Sequence, residues 1–314
     1  MRLVLAPLAG FTDAPFRKLC AEGGADLTYT EMVSAAGLAH GSSPTRHLME
    51  TMAGEGPVAC QIFGAKESDV AFAARVTPTV FRELNLNAGC PMTKVTREGA
   101  GAKLAESPER IYRLLKAMTE NTPLPVTLKT RLGPHPRRTT IFEIVDAAEQ
   151  AGAKAIILHA RYTSQMHGGE VHLETLAEVV GRSRLPITGN GSVTDLKSLK
   201  AMAATGVEAV MIGRAALSNP AIFAQLKGLE STLPTDSAEL CRRHLGYVLE
   251  FRRQLAIGYP DDHIPGEDAY ASVKLHTHLF RYFNGRPGAA ALRATLNKVR
   301  TLAETYDIID NKSQ

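Results

Sequence analysis

The sequence predicts an α/β chain, a TIM-type (β/α)8 barrel followed by an all-helical domain, and three observations predict it. Eight short β-rich runs recur in order with helix-period segments between most of them. Polar residues stand at nearly every strand exit, and the pattern turns wholly helical after about residue 225. The runs are RLVLAP (2–7), DLTYTEM (26–32), VACQIFG (58–64), VFRELNLN (80–87), PVTLKTR (125–131), KAIILHA (154–160), LPITGNG (185–191) and EAVMIGR (208–214). Strands rich in Val, Ile and Leu that alternate with helices form a parallel sheet covered by helices. Eight such units in 314 residues favour a closed barrel over an open doubly wound sheet. No GxGxxG follows the first strand, which argues against a Rossmann dinucleotide site.

The helical segments between the strands include APFRKLCAEGG, DVAFAARV, PERIYRLLKAM, IFEIVDAAEQAG, LETLAEVVGR and DLKSLKAMAATG, several closing on glycine. LPTDS (233–237) reads as a linker carrying a helix N-cap. Three helical stretches follow it: AELCRRHLGYVLEFRRQLAIG, EDAYASVKLHTHLFRYFNG and AAALRATLNKVRTLAETY. The expected division is a barrel over 1–232 and a helical domain over 235–314. Between Ala269 and Ala303 there is no Asp or Glu, while Lys274, Arg281, Arg286, Arg293, Lys298 and Arg300 interleave with Phe280, Tyr282 and Phe283. Such a one-signed stretch is either a solvated face over core aromatics or a phosphate-binding surface.

Composition narrows the class. A hydrophobic content of 44% supports a large core, and a net charge of +4 permits a polyanionic partner without requiring one. The cysteines Cys20, Cys60, Cys90 and Cys241 form no CxxC pair and have no histidine in metal-ligand spacing, so neither a zinc site nor a disulfide framework is expected. RLVLAP lacks the apolar core of a signal peptide, and no stretch approaches 18 continuous apolar residues. A cytoplasmic protein without a membrane span is expected, as a monomer.

Chemistry in such a barrel gathers at the C-terminal ends of the strands. The exits carry Gln61, then Asn87 and Cys90, Lys129 and Arg131, His159 and Arg161, Asn190 and Gly191, and Gly213 and Arg214. Singly, each has an ordinary explanation: a surface lysine, a satisfied core histidine, a small buried thiol. Together they converge on one rim. Glycines in GNGS (189–192) and IGR (212–214) let backbone N–H groups approach a phosphate, with Arg214 adding charge. Lys129 suits the negative charge that builds near N1 of a reduced flavin, His159 can assist, and Gln61 offers a donor and an acceptor to the polar edge of the ring. This set points to FMN rather than a sugar phosphate.

The ordered motifs APLAGFTDAPFR (6–17), YTEMVSA (29–35), QIFG (61–64), LNAGCP (86–91), LKTRLG (128–133), HARYTSQ (159–165), GNGS (189–192) and IGRAAL (212–217) resemble the tRNA-dihydrouridine synthases over nearly the whole chain. The run NAGCPMTKVTREGAG is similar to the bacterial B-type branch. The resemblance implies reduction of the C5–C6 double bond of uridine in tRNA by FMN recharged by NADPH. It implies Cys90 as proton donor to C5, Asn87 at the uracil edge, Arg161 and His167 on the substrate side, and FMN contacts from Ala6, Pro7, Leu8, Gln61, Lys129, His159, Asn190, Gly191, Gly213 and Arg214. It also implies a helical domain against tRNA, through Lys274, Arg281, Arg286 and Lys298. Ala160 and Ser192 depart from the glycine and the acidic residue usual in the family. Two other readings are an FMN barrel reducing a small molecule, as dihydroorotate dehydrogenases do, and a non-catalytic protein that binds and folds RNA.

Overall fold

The structure is a computed structural model that describes residues 1–283, 295 and 298–311. Eight parallel strands form one sheet: β1 (Arg2–Leu5), β2 (Thr28–Ser34), β3 (Val58–Phe63), β4 (Leu84–Ala88), β5 (Val126–Arg131), β6 (Ala155–His159), β7 (Ile187–Asn190) and β8 (Ala209–Ile212). The order is β1-β8-β7-β6-β5-β4-β3-β2, and a parallel bridge from Val4 to Leu27 brings the two ends together. The Leu5 N–H donates to the Leu27 carbonyl at 2.9 Å across that seam. The expected barrel is therefore what the chain forms, with its helices outside.

Helices follow in chain order: α1 (Ala14–Glu22), α2 (Ala35–Ala39), α3 (Ser43–His47), α4 (Glu67–Val76), α5 (Thr93–Arg97), α6 (Pro108–Thr119), α7 (Ile141–Gln150), α8 (Leu173–Arg182), α9 (Leu196–Ala203), α10 (Arg214–Ser218), α11 (Ile222–Lys227), α12 (Ser237–Gly258) and α13 (Glu267–Tyr282). Their starts are written locally. Asp13 caps α1 by accepting from the Phe16 N–H, Asp195 and Ser198 form a capping box on α9, and Asp236 in the expected linker accepts from Ala238 and Glu239.

Side-chain parity decides what each strand offers the interior. Successive strand residues face opposite sides. Leu3, Leu5, Cys60, Ile62, Leu84, Leu86, Val126, Leu128, Ile156, Leu158, Val210 and Ile212 therefore pack in the outer core between sheet and helices. The alternate set, Val4, Ala6, Tyr29, Ala59, Ile157 and Met211, forms a separate cluster inside the barrel. Continuing that inner parity toward the strand ends reaches Gln61, Asn87, Lys129, His159 and Asn190, so the buried apolar repeat itself aims these polar groups at one mouth.

The C-terminal helices pack on one another and on the barrel. Leu240, Leu245 and Leu249 of α12 meet Leu275 and Leu279 of α13 in a cluster that includes Leu19 of α1. Beneath the contact, Arg17 and Glu55 form an ion pair at 3.1 Å with side chains 1% and 2% exposed. Arg17 also donates to the carbonyls of Thr12 and Glu50, so its donors are used and the buried charge is compensated. The third expected helix differs. Lys298 lies in a turn, Val299 and Arg300 are not helical, and the helix runs over Leu302–Asn311. Hydrogen bonds from Arg300 and Thr301 N–H to the Glu304 carboxylate cap it there. Thr295 is helical, and the rest of that stretch, with Arg286 and Arg293, lies outside the described residues.

Candidate active site

Polar groups inside the barrel are joined in one chain of hydrogen bonds. Glu83 accepts from Thr127, which accepts from Asn85; Asn85 in turn accepts from the Gln61 amide at 2.7 Å, and Gln61 Oε1 accepts from Asn87 Nδ2 at 2.8 Å. Gln61 is fully buried and both ends of its amide are used within the protein. Asn87 ends the chain at the Cys90 turn: its Oδ1 accepts from the N–H groups of Gly89 at 3.1 Å and Cys90 at 3.0 Å. Its remaining amide proton faces the Met32 sulfur at 3.0 Å, a weak acceptor. All four hydrogen-bonding positions of Asn87 are thus engaged, and it sets the turn that carries the thiol.

Two further contacts fix that turn. Ala102 N–H donates to the Cys90 carbonyl at 2.9 Å, and Arg131 Nε donates to the Gly89 carbonyl at 2.8 Å. Gly101 makes the first possible. It holds φ +59°, and a Cβ there would stand 2.7 Å from the Cys90 carbonyl oxygen. The other three cysteines are buried, and burial pushes the thiols of Cys20 and Cys60 up, the latter to about 12. Cys90 is the partly exposed thiol, and its charge would act on both Lys129 and Arg131.

Lys129 donates from Nζ to Asn190 Oδ1 at 3.2 Å, and Asn190 donates onward to the Met211 carbonyl at 2.9 Å. Burial, with Arg131 nearby, lowers the lysine to about 7. His159 lies well below its ordinary range because it is buried and faces Lys129, Arg131, Arg161 and His167. Arg161 NH1 stands 3.2 Å from His159 Nε2; since the guanidinium only donates, that nitrogen accepts and the imidazole is neutral. The remaining Arg161 donors reach the Gly169 carbonyl and Ser192 Oγ, and the residue is 4% exposed. His167 stacks on His159 with ring centroids 6.2 Å apart, and its carbonyl accepts from Arg214 at 3.3 Å.

Besides burial, Lys129, Arg131, Arg161 and Arg214 are the cations acting on this group of residues, and the Cys90 thiol is the one acidic group among the influences, so the mouth gathers positive charge. That donor set fits a phosphate-bearing ring. Gly191 holds φ +141°, and a Cβ there would lie 3.4 Å from the His159 ring, while Gly213 sits beside Ala6 and Leu8. Ala6, Leu8 and Gly213 are thereby brought together, and Gly191 stands beside His159.

Sequence reasoning placed Arg131 at the exit of the fifth strand without giving it a role and did not single out Asn85, although each lies two residues from a chosen position and shares its parity. The basic helical residues stand differently from a free surface. Lys274 lies 3.9 Å from Asp13 and 4.0 Å from Glu31, and Arg281 rests over the rings of Phe11 and Phe280. Lys298 is exposed, and Arg286 lies outside the described residues. Among the described residues no helix is long and apolar enough to cross a membrane.

Comparison with known proteins agrees with the geometry. The family model for dihydrouridine synthases matches residues 4–314. A tRNA-dihydrouridine synthase B of Klebsiella pneumoniae is 36% identical over 228 residues, covering 72% of this chain and 71% of its own length. The tRNA-dihydrouridine synthase B of Escherichia coli (strain K12) is 36% identical over the same shares. A probable tRNA-dihydrouridine synthase of Treponema pallidum (strain Nichols) is 36% identical over 236 residues, 71% of this chain and 69% of its own. A parallel barrel with a partly exposed thiol on its cationic mouth, matched from Val4 to the last residue, belongs to the dihydrouridine synthase family and resembles its B-type members.

Proposed function

We propose that the chain reduces the C5–C6 double bond of uridines in tRNA to dihydrouridine, with FMN as cofactor and NADPH as reductant. The observation that carries this reading is Cys90, a partly exposed thiol held by Asn87, Gly101 and Arg131 beside the charges of Lys129 and Arg131. Ala6, Pro7, Leu8, Gln61, Lys129, His159, Asn190, Gly191, Gly213 and Arg214 would hold FMN. When bound, FMN takes electrons from NADPH and supplies hydride to C6 of the uracil.

Cys90 supplies the matching proton at C5. A thiol is a weak acid, able to hold a proton and to give it up to carbon as negative charge builds there. The sulfur left negative is stabilised by Lys129 and Arg131, and it regains its proton from solvent. Asn87 is first a positioning residue for this thiol. Contact with uracil through its second amide proton requires exchange only of the weak Met32 sulfur bond. Arg161, whose donors are committed to the loop and to His159, supports the substrate side by fixing His159 and the segment that carries His167.

The division into a barrel over 1–232 and an RNA-binding helical part over 235–314 belongs to the same proposal, with Lys298, Arg281, Arg286 and Lys274 as its basic residues. The deciding experiment supplies purified protein, NADPH and added FMN with an unmodified tRNA transcript, and separately with free uracil, uridine and orotate. Dihydrouridine in the transcript alone supports the reading. Turnover of a free small substrate with none in the transcript overturns it.

A further inference from the structure

The barrel and the C-terminal helices meet at a buried cluster that the reaction does not use. Asp13 at the start of α1, His244 on α12 and His278 on α13 each bring a ligand-type atom within 4.8 Å of the others. Their residues are 9%, 0% and 1% exposed. Nε2 of His244 and both ring nitrogens of His278 make no hydrogen bond among the described residues. The Phe11 backbone influences His278 without reaching hydrogen-bond geometry. Buried imidazole nitrogens are ordinarily paired, so unpaired ones from two helices meeting one carboxylate mark a place where something binds.

The surroundings fit a metal ion. His244 Nδ1 lies 2.9 Å from the Tyr282 hydroxyl. With that contact on Nδ1, Nε2 is left to ligate, as in metal-bound histidines whose other nitrogen is held by an outer partner. Asp13 Oδ1 is used by the α1 cap at 3.2 Å, which leaves Oδ2. Lys274 approaches Oδ2 at 3.9 Å but has Glu31 as a second partner at 4.0 Å. Arg281 and Lys274 add positive charge near His278, so the site depends on the Asp13 carboxylate to balance an incoming cation. Phe16 covers the cluster, with ring centroids 4.6 Å from His278 and 6.0 Å from His244.

We propose that Asp13, His244 and His278 form a divalent transition-metal site that fastens the C-terminal helices to the barrel. Two imidazoles and one carboxylate suit zinc, with a fourth position for water. The ligands stand 231 and 34 residues apart in the sequence, which is why no spacing motif announces them.

The test uses the full chain without a histidine tag, purified without chelator. Metal analysis should find about one zinc per chain. After chelator treatment, Zn2+ should rebind and raise Tm, and Co2+ should give the visible absorption of a low-coordinate site. Asp13→Asn keeps the helix cap while removing the carboxylate, and should weaken Zn2+ binding by more than about 10-fold and abolish the Tm response. Tyr282→Phe should weaken it about 10-fold through the outer partner. His276→Ala, on the same helix but outside the cluster, should bind like the native chain. Absence of bound metal together with no Zn2+-dependent Tm shift overturns the proposal. Equal binding by the Asp13→Asn and native chains places the ion elsewhere and overturns it too.

Discussion

Replacing Asn87 with alanine removes the acceptor that holds the N–H groups of Gly89 and Cys90, and the donor on Gln61 Oε1. Gly89 and Gln61 are buried, so each lost partner leaves a polar group without water, at about 1.5 kcal/mol apiece. The Cys90 N–H lies at a partly exposed residue and recovers a water, so it adds little. The expected loss is therefore about 3 kcal/mol, or a fall in Tm of roughly 4–5 °C for a chain of this size. Activity should fall further than stability explains. Release of the turn displaces the thiol, and a misplacement of about 1 Å in a reacting group costs on the order of 100-fold in rate. Denaturant titration with and without FMN, and single-turnover dihydrouridine formation below the unfolding range, read the two effects separately. A variant within about 0.5 kcal/mol of the native chain and with its native rate would refute the role given to Asn87.

Other expected outcomes follow from the same contacts. Gly101→Ala forces a Cβ against the Cys90 carbonyl and should cut dihydrouridine formation while FMN stays bound; flavin loss in step with activity would contradict this. Lys129 has a folded pKa of about 7, below its unfolded value, so between pH 7 and about 10 the unfolded chain binds more protons and the flavin-free protein gains stability as pH rises. Lys129→Met removes that gain, which denaturant titrations at pH 7 and pH 9 would detect; identical slopes in both chains would exclude a buried Lys129. Lys298→Ala, at an exposed position, should weaken tRNA binding and reduce the salt dependence of log Kd by about 1, whereas an unaltered slope would remove Lys298 from the interface.

The barrel was legible because its evidence is periodic. Alternating apolar residues in each strand set both the closed sheet and the side to which Gln61, Asn87, Lys129, His159 and Asn190 turn. Partner choice was not legible. The resemblance implies Asn87 at the uracil edge, and the structure adds that its acceptor oxygen holds the Cys90 turn, a contact with no signature in composition. Lys274 read as one basic residue among several, but the fold sets it against Asp13 and Glu31, hundreds of residues away in the chain. The third C-terminal helix is expected to run unbroken because its residues have good helix propensity throughout, whereas Lys298, Val299 and Arg300 are not helical and the start at Leu302 is fixed by the Glu304 side chain. The Asp13, His244 and His278 cluster was invisible for the same reason as the Lys274 pairing: it exists only once the helices dock.

The most direct measurement is a single-turnover reaction of the Cys90→Ala chain, reduced beforehand and mixed with unmodified tRNA without oxygen. Cys90 is predicted to matter only for the proton at C5, so flavin content, flavin reduction by NADPH and tRNA affinity should match the native chain while dihydrouridine formation slows by at least about 100-fold. Dihydrouridine formed at the native rate would show that another group donates the proton and would contradict the account at its centre.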